Sequence, residues 1–194
     1  MTIQRIAVYC GSKIGLSEAY QFMARELAMT LVDERVELVF GGGKVGLMGV
    51  LADTVLAHGG KVTGVIPSGL DIDEVVHKDL TELVKVPGMH QRKAMMLDLA
   101  DAFIAMPGGI GTMDEIFEAW TWGQLGIHTK PVGLLNVEGY FDSLIEYLST
   151  MVRQGFLSQK HHDRLYISES PSDLLEKMRL SNTQHETIWL DNGV

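Results

Sequence analysis

The chain has 194 residues, 46% hydrophobic and 21% charged, enough apolar material for one domain with a sizeable core. Sixteen Lys and Arg stand against 25 Asp and Glu, a formal charge of −9, so no basic stripe is available for a nucleic-acid backbone, although a small anion could still bind in a locally basic pocket. The single cysteine, Cys10, excludes an internal disulfide and offers no zinc-cluster spacing.

The first apolar run, residues 6–10, ends at Gly11 and Ser12, too short for the core of a signal peptide. No uncharged apolar stretch approaches the ~18 residues of a membrane span. The expectation is a cytoplasmic protein without a membrane partner.

From there apolar runs recur at 37–40, 62–66, 102–105 and 132–135, near-continuous as in parallel strands covered on both faces. Amphipathic stretches at 17–34, 46–58, 89–99, 112–125 and 140–153 read as helices between them. The alternation predicts an α/β fold: a doubly wound, Rossmann-like parallel sheet with helices on both faces, in a single domain over residues 1–180. Between Pro67 and Pro87, Asp71, Asp73, Glu74, Lys78 and Asp79 interrupt any apolar pattern, and a loop over the pocket is expected. Residues 165–167 predict a last strand. Ser170 followed by Pro171 reads as a helix cap with proline at the first position, giving a final helix to about Met178. Residues 181–194 are polar and without period, and are expected to form a tail.

In open α/β sheets the ligand crevice lies at the carboxyl ends of the strands, which directs attention to the loops after residues 10, 40, 66, 105 and 135. The first glycine cluster, FGGGKVGLMG at 40–49, formally satisfies G-x-G-x-x-G but follows the second strand, and no acid is placed for the ribose of NAD. Leu47 stands where a Walker A loop needs lysine. Two readings remain, a backbone that approaches a ligand closely and a tight turn that lets helix and strand pack.

The second cluster, MPGGIGTMDE at 106–115, follows a strand directly. Gly108, Gly109 and Gly111 let the chain come near an anion, and a helix starting near Thr112 aims free amides and about half a positive charge at it. Thr112 and Glu115 also satisfy a capping box, T-x-x-E, in which the glutamate only closes the helix start. Both readings stay open on the segment alone. In MHQRKAMM at 89–96, Arg92 and Lys93 sit at the start of a helix, where cations oppose the dipole; an anionic partner explains them, as does a solvated charged turn.

Other candidates carry less. His161 and His162 with Asp163 lack helical ligand spacing and a third ligand, so a surface turn is expected and no metal site. The methionines, Met95 and Met96 among them, read as core filler. Phe117, Trp120 and Trp122 crowd one helix and predict a buried or subunit-facing surface. Ser12 and Ser68 lie outside any G-x-S-x-G nucleophile elbow.

Taken together, GGGKVGLMG, MHQRKAMM, PGGIGTMDE and TWGQLGIHTKPVGLLNVEGYFDSL resemble the LOG (Lonely Guy) family of cytokinin riboside 5′-monophosphate phosphoribohydrolases, over residues 5–178. The resemblance implies hydrolysis of the N-glycosidic bond of an adenosine 5′-monophosphate, N6-modified or plain, to free base and ribose 5-phosphate. No cofactor is expected. Members have also been labelled lysine decarboxylases, a reading rejected because nothing marks a Schiff-base lysine with partners for pyridoxal phosphate. By resemblance, the glycine loop Gly108, Gly109, Ile110, Gly111 and Thr112 receives the 5′-phosphate, Met113 and Asp114 also bind the substrate, and Arg92 and Glu115 are the essential polar pair. Lys93, Glu74 and Thr121 match binding positions, and Ser12, Gly41, Gly42 and Gly43 line the same crevice. Asp114 stands where glutamate is common, and residues 68–74 depart from the plant pattern except at Glu74; both bear on base preference. A homodimer is implied, with the helix near Trp120 at the contact. The rival readings are a nucleotide or cofactor carrier without chemistry, and a phosphohydrolase.

Overall fold

The apolar run that opens the chain forms β1 (Arg5–Tyr9). From it the chain passes through α1 (Glu18–Asp33), β2 (Glu37–Phe40), α2 (Gly46–Ala57), β3 (Val62–Pro67) and β4 (Glu82–Val86), then crosses back through α3 (Met89–Leu99) to β5 (Ala102–Ala105). Next come α4 (Ile110–Gln124), β6 (Val132–Leu135), α5 (Asp142–Arg153), the short α6 (Gln159–His162), β7 (Leu165–Ser168) and α7 (Pro171–Arg179). This computed structural model describes residues 2–69 and 75–181; the expected tail from residue 182 on, and Glu74, lie outside the described residues.

All seven strands are parallel, in the order β4-β3-β2-β1-β5-β6-β7. The chain winds outward from β1 to β4, returns through α3 to the other side of β1, and winds outward again. This is the predicted doubly wound sheet. The reversal falls between β1 and β5, so the loops leaving these two strands diverge and open a crevice at their carboxyl ends.

The alternation along each strand feeds two cores. Ile6, Val8, Leu38, Phe40 and Ile104 face α1, α2 and α7, whereas Ala7, Tyr9, Val39, Phe103 and Ala105 face α3, α4 and α5. On α1 the buried positions are Ala24, Leu27, Ala28 and Leu31, one helical stripe. Ser17 caps that helix by accepting from the Ala19 amide, and Ser170 caps α7 with Pro171 in its first turn. Among the described residues no helix is long and apolar enough to cross a membrane, and no group of three or more His, Cys, Asp or Glu could hold a metal ion.

Two expectations need correction. The loop expected between Pro67 and Pro87 contains β4, which pairs with β3 from Thr63↔Glu82 to Pro67↔Val86. An edge strand has one neighbour and an open side, so Glu82 and Lys85 can project to solvent without breaking the ladder. Residues 75–77 pack on the first glycine turn, Lys44 N–H donating to the Val75 carbonyl and His77 N–H to that of Gly42. His161, expected on a surface turn, is buried in α6, where its carbonyl accepts from Trp120 Nε1 at 3.3 Å. Trp120, read from sequence as buried or subunit-facing, is buried within the chain.

Candidate active site

The loops after β1 and β5 meet first. Gly11 N–H donates to the Pro107 carbonyl at 3.0 Å, and Leu47 N–H at the start of α2 donates to the Gly11 carbonyl at 3.0 Å. Two hydrogen bonds thus draw three strand ends around one crevice.

At the mouth of β5 the helix begins earlier than its capping pattern suggests. Gly109 is the cap residue of α4 and offers no side chain, and the first helical bond runs from Met113 N–H to the Gly109 carbonyl. The amides of Ile110, Gly111 and Thr112 therefore precede the helical ladder. Thr112 lies inside the first turn, and Glu115 sits beyond it, where no orphan amide remains to cap. The capping reading of T-x-x-E is overturned. Thr112 is buried, and a Cβ at Gly108 would collide with its hydroxyl, so glycine there lets the turn fold onto its own helix. At Gly109 and Gly111 a Cβ would meet nothing within 4 Å.

Freed from capping, Glu115 accepts from an Arg92 terminal nitrogen at 2.7 Å. Arg92 comes from the second turn of α3, and its Nε donates to the Val65 carbonyl at 3.0 Å. Its other terminal nitrogen occupies the space a Cβ at Gly41 would need. The guanidinium is thereby fixed against β3, α4 and the turn after β2. Both side chains of the pair are 12% exposed. Burial pushes the Glu115 carboxyl above its usual range, with Arg92 pulling the other way. Behind the pair, burial raises the Tyr9 hydroxyl and Cys10 thiol, and the Glu115 charge adds to both.

Lys93 points to neighbouring acids. It donates to Asp114 at 3.1 Å and pairs with Glu118, whose hydrogen bond holds its amine above the usual lysine range. Carboxylates of α4 thus supply anionic partners for both cations of α3.

A cleft of about 330 Å³ opens on the α1 side of the glycine turn, lined by Ser12, Lys13, Tyr20, Gly108, Gly109 and Tyr140. The Tyr140 hydroxyl donates to the Gly108 carbonyl at 2.5 Å, and its ring meets Tyr20 edge to face at 5.7 Å. Sequence reasoning missed both tyrosines; for Tyr140 the signal available was the loop after residue 135, already marked as a place to look, whereas Tyr20 lies in α1 and carried none. Gly42 and Gly43 are buried beneath residues 75–77. Thr121 does not join the crevice of its own chain. It lies six residues after Glu115, about 9 Å along α4 and turned to another face, and it lines a shallow groove with Ile110, Met113, Asp114, Phe117 and Trp122.

The family model described as "Possible lysine decarboxylase" matches residues 48–178. The chain is 44% identical over 185 residues to cytokinin riboside 5′-monophosphate phosphoribohydrolase LOG1 of Arabidopsis thaliana, covering 95% of this chain and 87% of that one. It is 51% identical over 186 residues to LOG7 of the same plant, covering 95% and 85%, and 44% identical to the probable enzyme LOGL6 of Oryza sativa subsp. japonica, covering 95% and 74%. Two solved structures share the fold: the molybdenum cofactor binding protein of Rippkaea orientalis, with TM-score 0.68, 22% identity and coverage of 92% and 97%, and the molybdenum cofactor carrier protein of Chlamydomonas reinhardtii, with TM-score 0.68, 18% identity and coverage of 91% and 96%.

Proposed function

The chain belongs to the LOG family of cytokinin riboside 5′-monophosphate phosphoribohydrolases, and from this premise we propose how its residues divide the work. It is a hydrolase of the N-glycosidic bond of N6-modified adenosine 5′-monophosphates, releasing free base and ribose 5-phosphate. The observation that carries the division of roles is the buried Arg92–Glu115 pair, 2.7 Å apart, on the helix whose open N-terminus precedes it.

The 5′-phosphate sits at the amides of Ile110, Gly111 and Thr112, where bare glycine backbone and the helix dipole favour an anion. Breaking the C1′–N9 bond sends its electron pair to the base and leaves positive charge on the ribose. The Glu115 carboxylate stabilises that charge and orients a water, whose oxygen bonds to C1′ while its proton passes to the carboxylate and on to the departing base. Arg92 stays protonated, holds Glu115 in place, and presents fixed charge to the nucleotide. The lysine decarboxylase label does not suit this site: a Schiff-base amine must be neutral, and Lys93 is held in its charged form by two carboxylates.

Incubation with AMP and with isopentenyl-AMP tests the reading. Free base with ribose 5-phosphate is expected, the isopentenyl substrate being preferred. Inorganic phosphate as product instead indicates a phosphohydrolase, and saturable binding without products indicates a carrier. A second copy of the chain covers the groove of Ile110, Phe117, Thr121 and Trp122; Ile110, 89% exposed, and the family-matched Thr121 support this homodimer. Light scattering should give twice the chain mass, and Phe117→Glu should halve it.

A further inference from the structure

One buried polar group beside the catalytic pair has no part in the chemistry described so far. Tyr9, the last residue of β1, is 3% exposed, and its ring stacks parallel to Phe103 with centroids 6.3 Å apart. A buried tyrosine usually seats its hydroxyl on a partner. Among the described residues the Tyr9 hydroxyl has none. It nevertheless stands in a strong field: burial and then the Glu115 charge keep it protonated, with Glu118 adding to them and Arg92 opposing. A proton donor therefore lies close to two carboxylates without a hydrogen bond to either.

Between these groups is a small pocket of about 10 Å³. Tyr9 lines it from β1, Lys93 and Leu97 from α3, and Glu115, Glu118 and Trp122 from α4. One water needs about 10–15 Å³ of such space and two to four polar partners. This lining offers four. The Tyr9 hydroxyl and the Lys93 amine are donors, the amine having three N–H groups for its two carboxylate partners, Asp114 and Glu118. The carboxylates of Glu115 and Glu118 are acceptors, and Arg92 engages only Oε1 of Glu115, at 2.7 Å. Two donors and two acceptors match the four hydrogen bonds of a single water molecule, while the two carboxylates disfavour an anion.

We propose that this pocket holds one water, accepting from Tyr9 and Lys93 and donating to Glu115 and Glu118, and that through it Tyr9 is a positioning residue that favours the ionised, correctly aimed form of Glu115. The inference rests on the assignment of Glu115 as the base. Burial works against the Glu115 charge; Arg92 and Lys93 of α3 support it, and Asp114 of α4 opposes it. The Cys10 thiol, next along β1, is kept protonated by burial and adds no charge. A further hydrogen bond donated to the carboxylate shifts this balance toward the charged form.

Phenylalanine at position 9 keeps the ring and removes the hydroxyl, so the fold should persist. In profiles of kcat/KM against pH for base release from isopentenyl-AMP, the acid limb of Tyr9→Phe should lie about half to one pH unit higher than in the wild type. That is a loss of about three- to tenfold below the limb and of about twofold at most above it. A tyrosine that only fills space would lower the whole profile evenly and leave the limb in place. Crystals of the full chain should show one ordered water within hydrogen-bonding reach of Tyr9 Oη and the Glu115 carboxylate. An unmoved limb, or no water between those groups in the wild type, overturns the inference. Glu115→Gln, measured alongside, separates it from the assignment it rests on. Normal turnover by that variant overturns both, whereas an inactive Glu115→Gln beside an unmoved Tyr9→Phe limb overturns the role of Tyr9 alone. Should Tyr9→Phe fail to fold, the water in the wild type decides.

Discussion

The turns after β2 and β5 are built alike, strand, then glycines, then helix, but their glycines face different things. After β2, a Cβ at Gly41 would collide with the Arg92 guanidinium, and one at Gly46, where φ is +62°, would collide with the Ser12–Lys13 backbone. After β5, a Cβ at Gly109 or Gly111 meets no atom within 4 Å. Crowded glycines let protein approach protein, here the Arg92 guanidinium at Gly41 and the loop after β1 at Gly46. Open glycines have no such neighbour, and the space beside them is left for a ligand. In the proposed division of roles, the first turn positions the chemistry and the second receives the anion.

Replacing Glu115 with glutamine should be the most damaging test of this division. Glutamine keeps an acceptor for Arg92, so the fold should persist, while loss of the carboxylate should lower the rate of base release by about 10² to 10⁴. Normal turnover by a folded variant would return Glu115 to a scaffolding role. The pH dependence follows from the same group. Its folded pKa is raised, so its contribution to stability is full at acid pH and is lost as pH rises through the raised value, the same limb along which the carboxylate, and with it activity, appears. Rate profiles and urea midpoints measured side by side should move in opposite directions, and the glutamine variant should flatten the second.

Next in size, Arg92→Met should strand a carboxylate that is 12% exposed, at a cost of about 3 kcal/mol at neutral pH. The penalty should shrink towards about pH 4 as Glu115 takes up a proton. An equal loss at both pH values would mean that Arg92 acts through packing alone.

Alanine at the two turns then separates them. Gly41→Ala should cost about 1–3 kcal/mol, as expected of overpacking, and lower kcat by displacing Arg92. Gly111→Ala should leave the urea midpoint unchanged or raise stability by about 0.5–1 kcal/mol, because alanine suits a helix better. Its methyl leans toward the helix N-terminus, the proposed place of the phosphate, and KM should rise about tenfold, close to 1.4 kcal/mol. Should both variants behave alike, the contrast between the turns fails. Smallest of all, Tyr140→Phe removes the 2.5 Å hydrogen bond to the Gly108 carbonyl and should cost about 1 kcal/mol or less, with KM raised a few-fold and kcat little changed.

Much of the fold was legible because two-sided burial leaves a strong mark: strands covered on both faces carry unbroken apolar runs, and the predicted runs at 37–40, 102–105 and 132–135 coincide with β2, β5 and β6. β4 was not legible, since one open edge permits charges that erase the pattern. The capping box misled for a local reason. T-x-x-E is a valid cap only if the helix starts at the threonine, and here the glycines let it start two residues earlier, at Ile110.

By itself, the sequence determined the parallel doubly wound plan, the strand ends at which a site must lie, and the residue types available there, all properties of local period and composition. Tertiary structure alone decided that Arg92 and Glu115, 23 positions apart, meet at 2.7 Å, that Lys93 is occupied by Asp114 and Glu118, and that Thr121 faces away from the crevice of its own chain. The physical reason is the crossover between β4 and β5. It returns the chain to the centre of the sheet and sets α3 beside α4, and no local pattern records which helix will lie next to which.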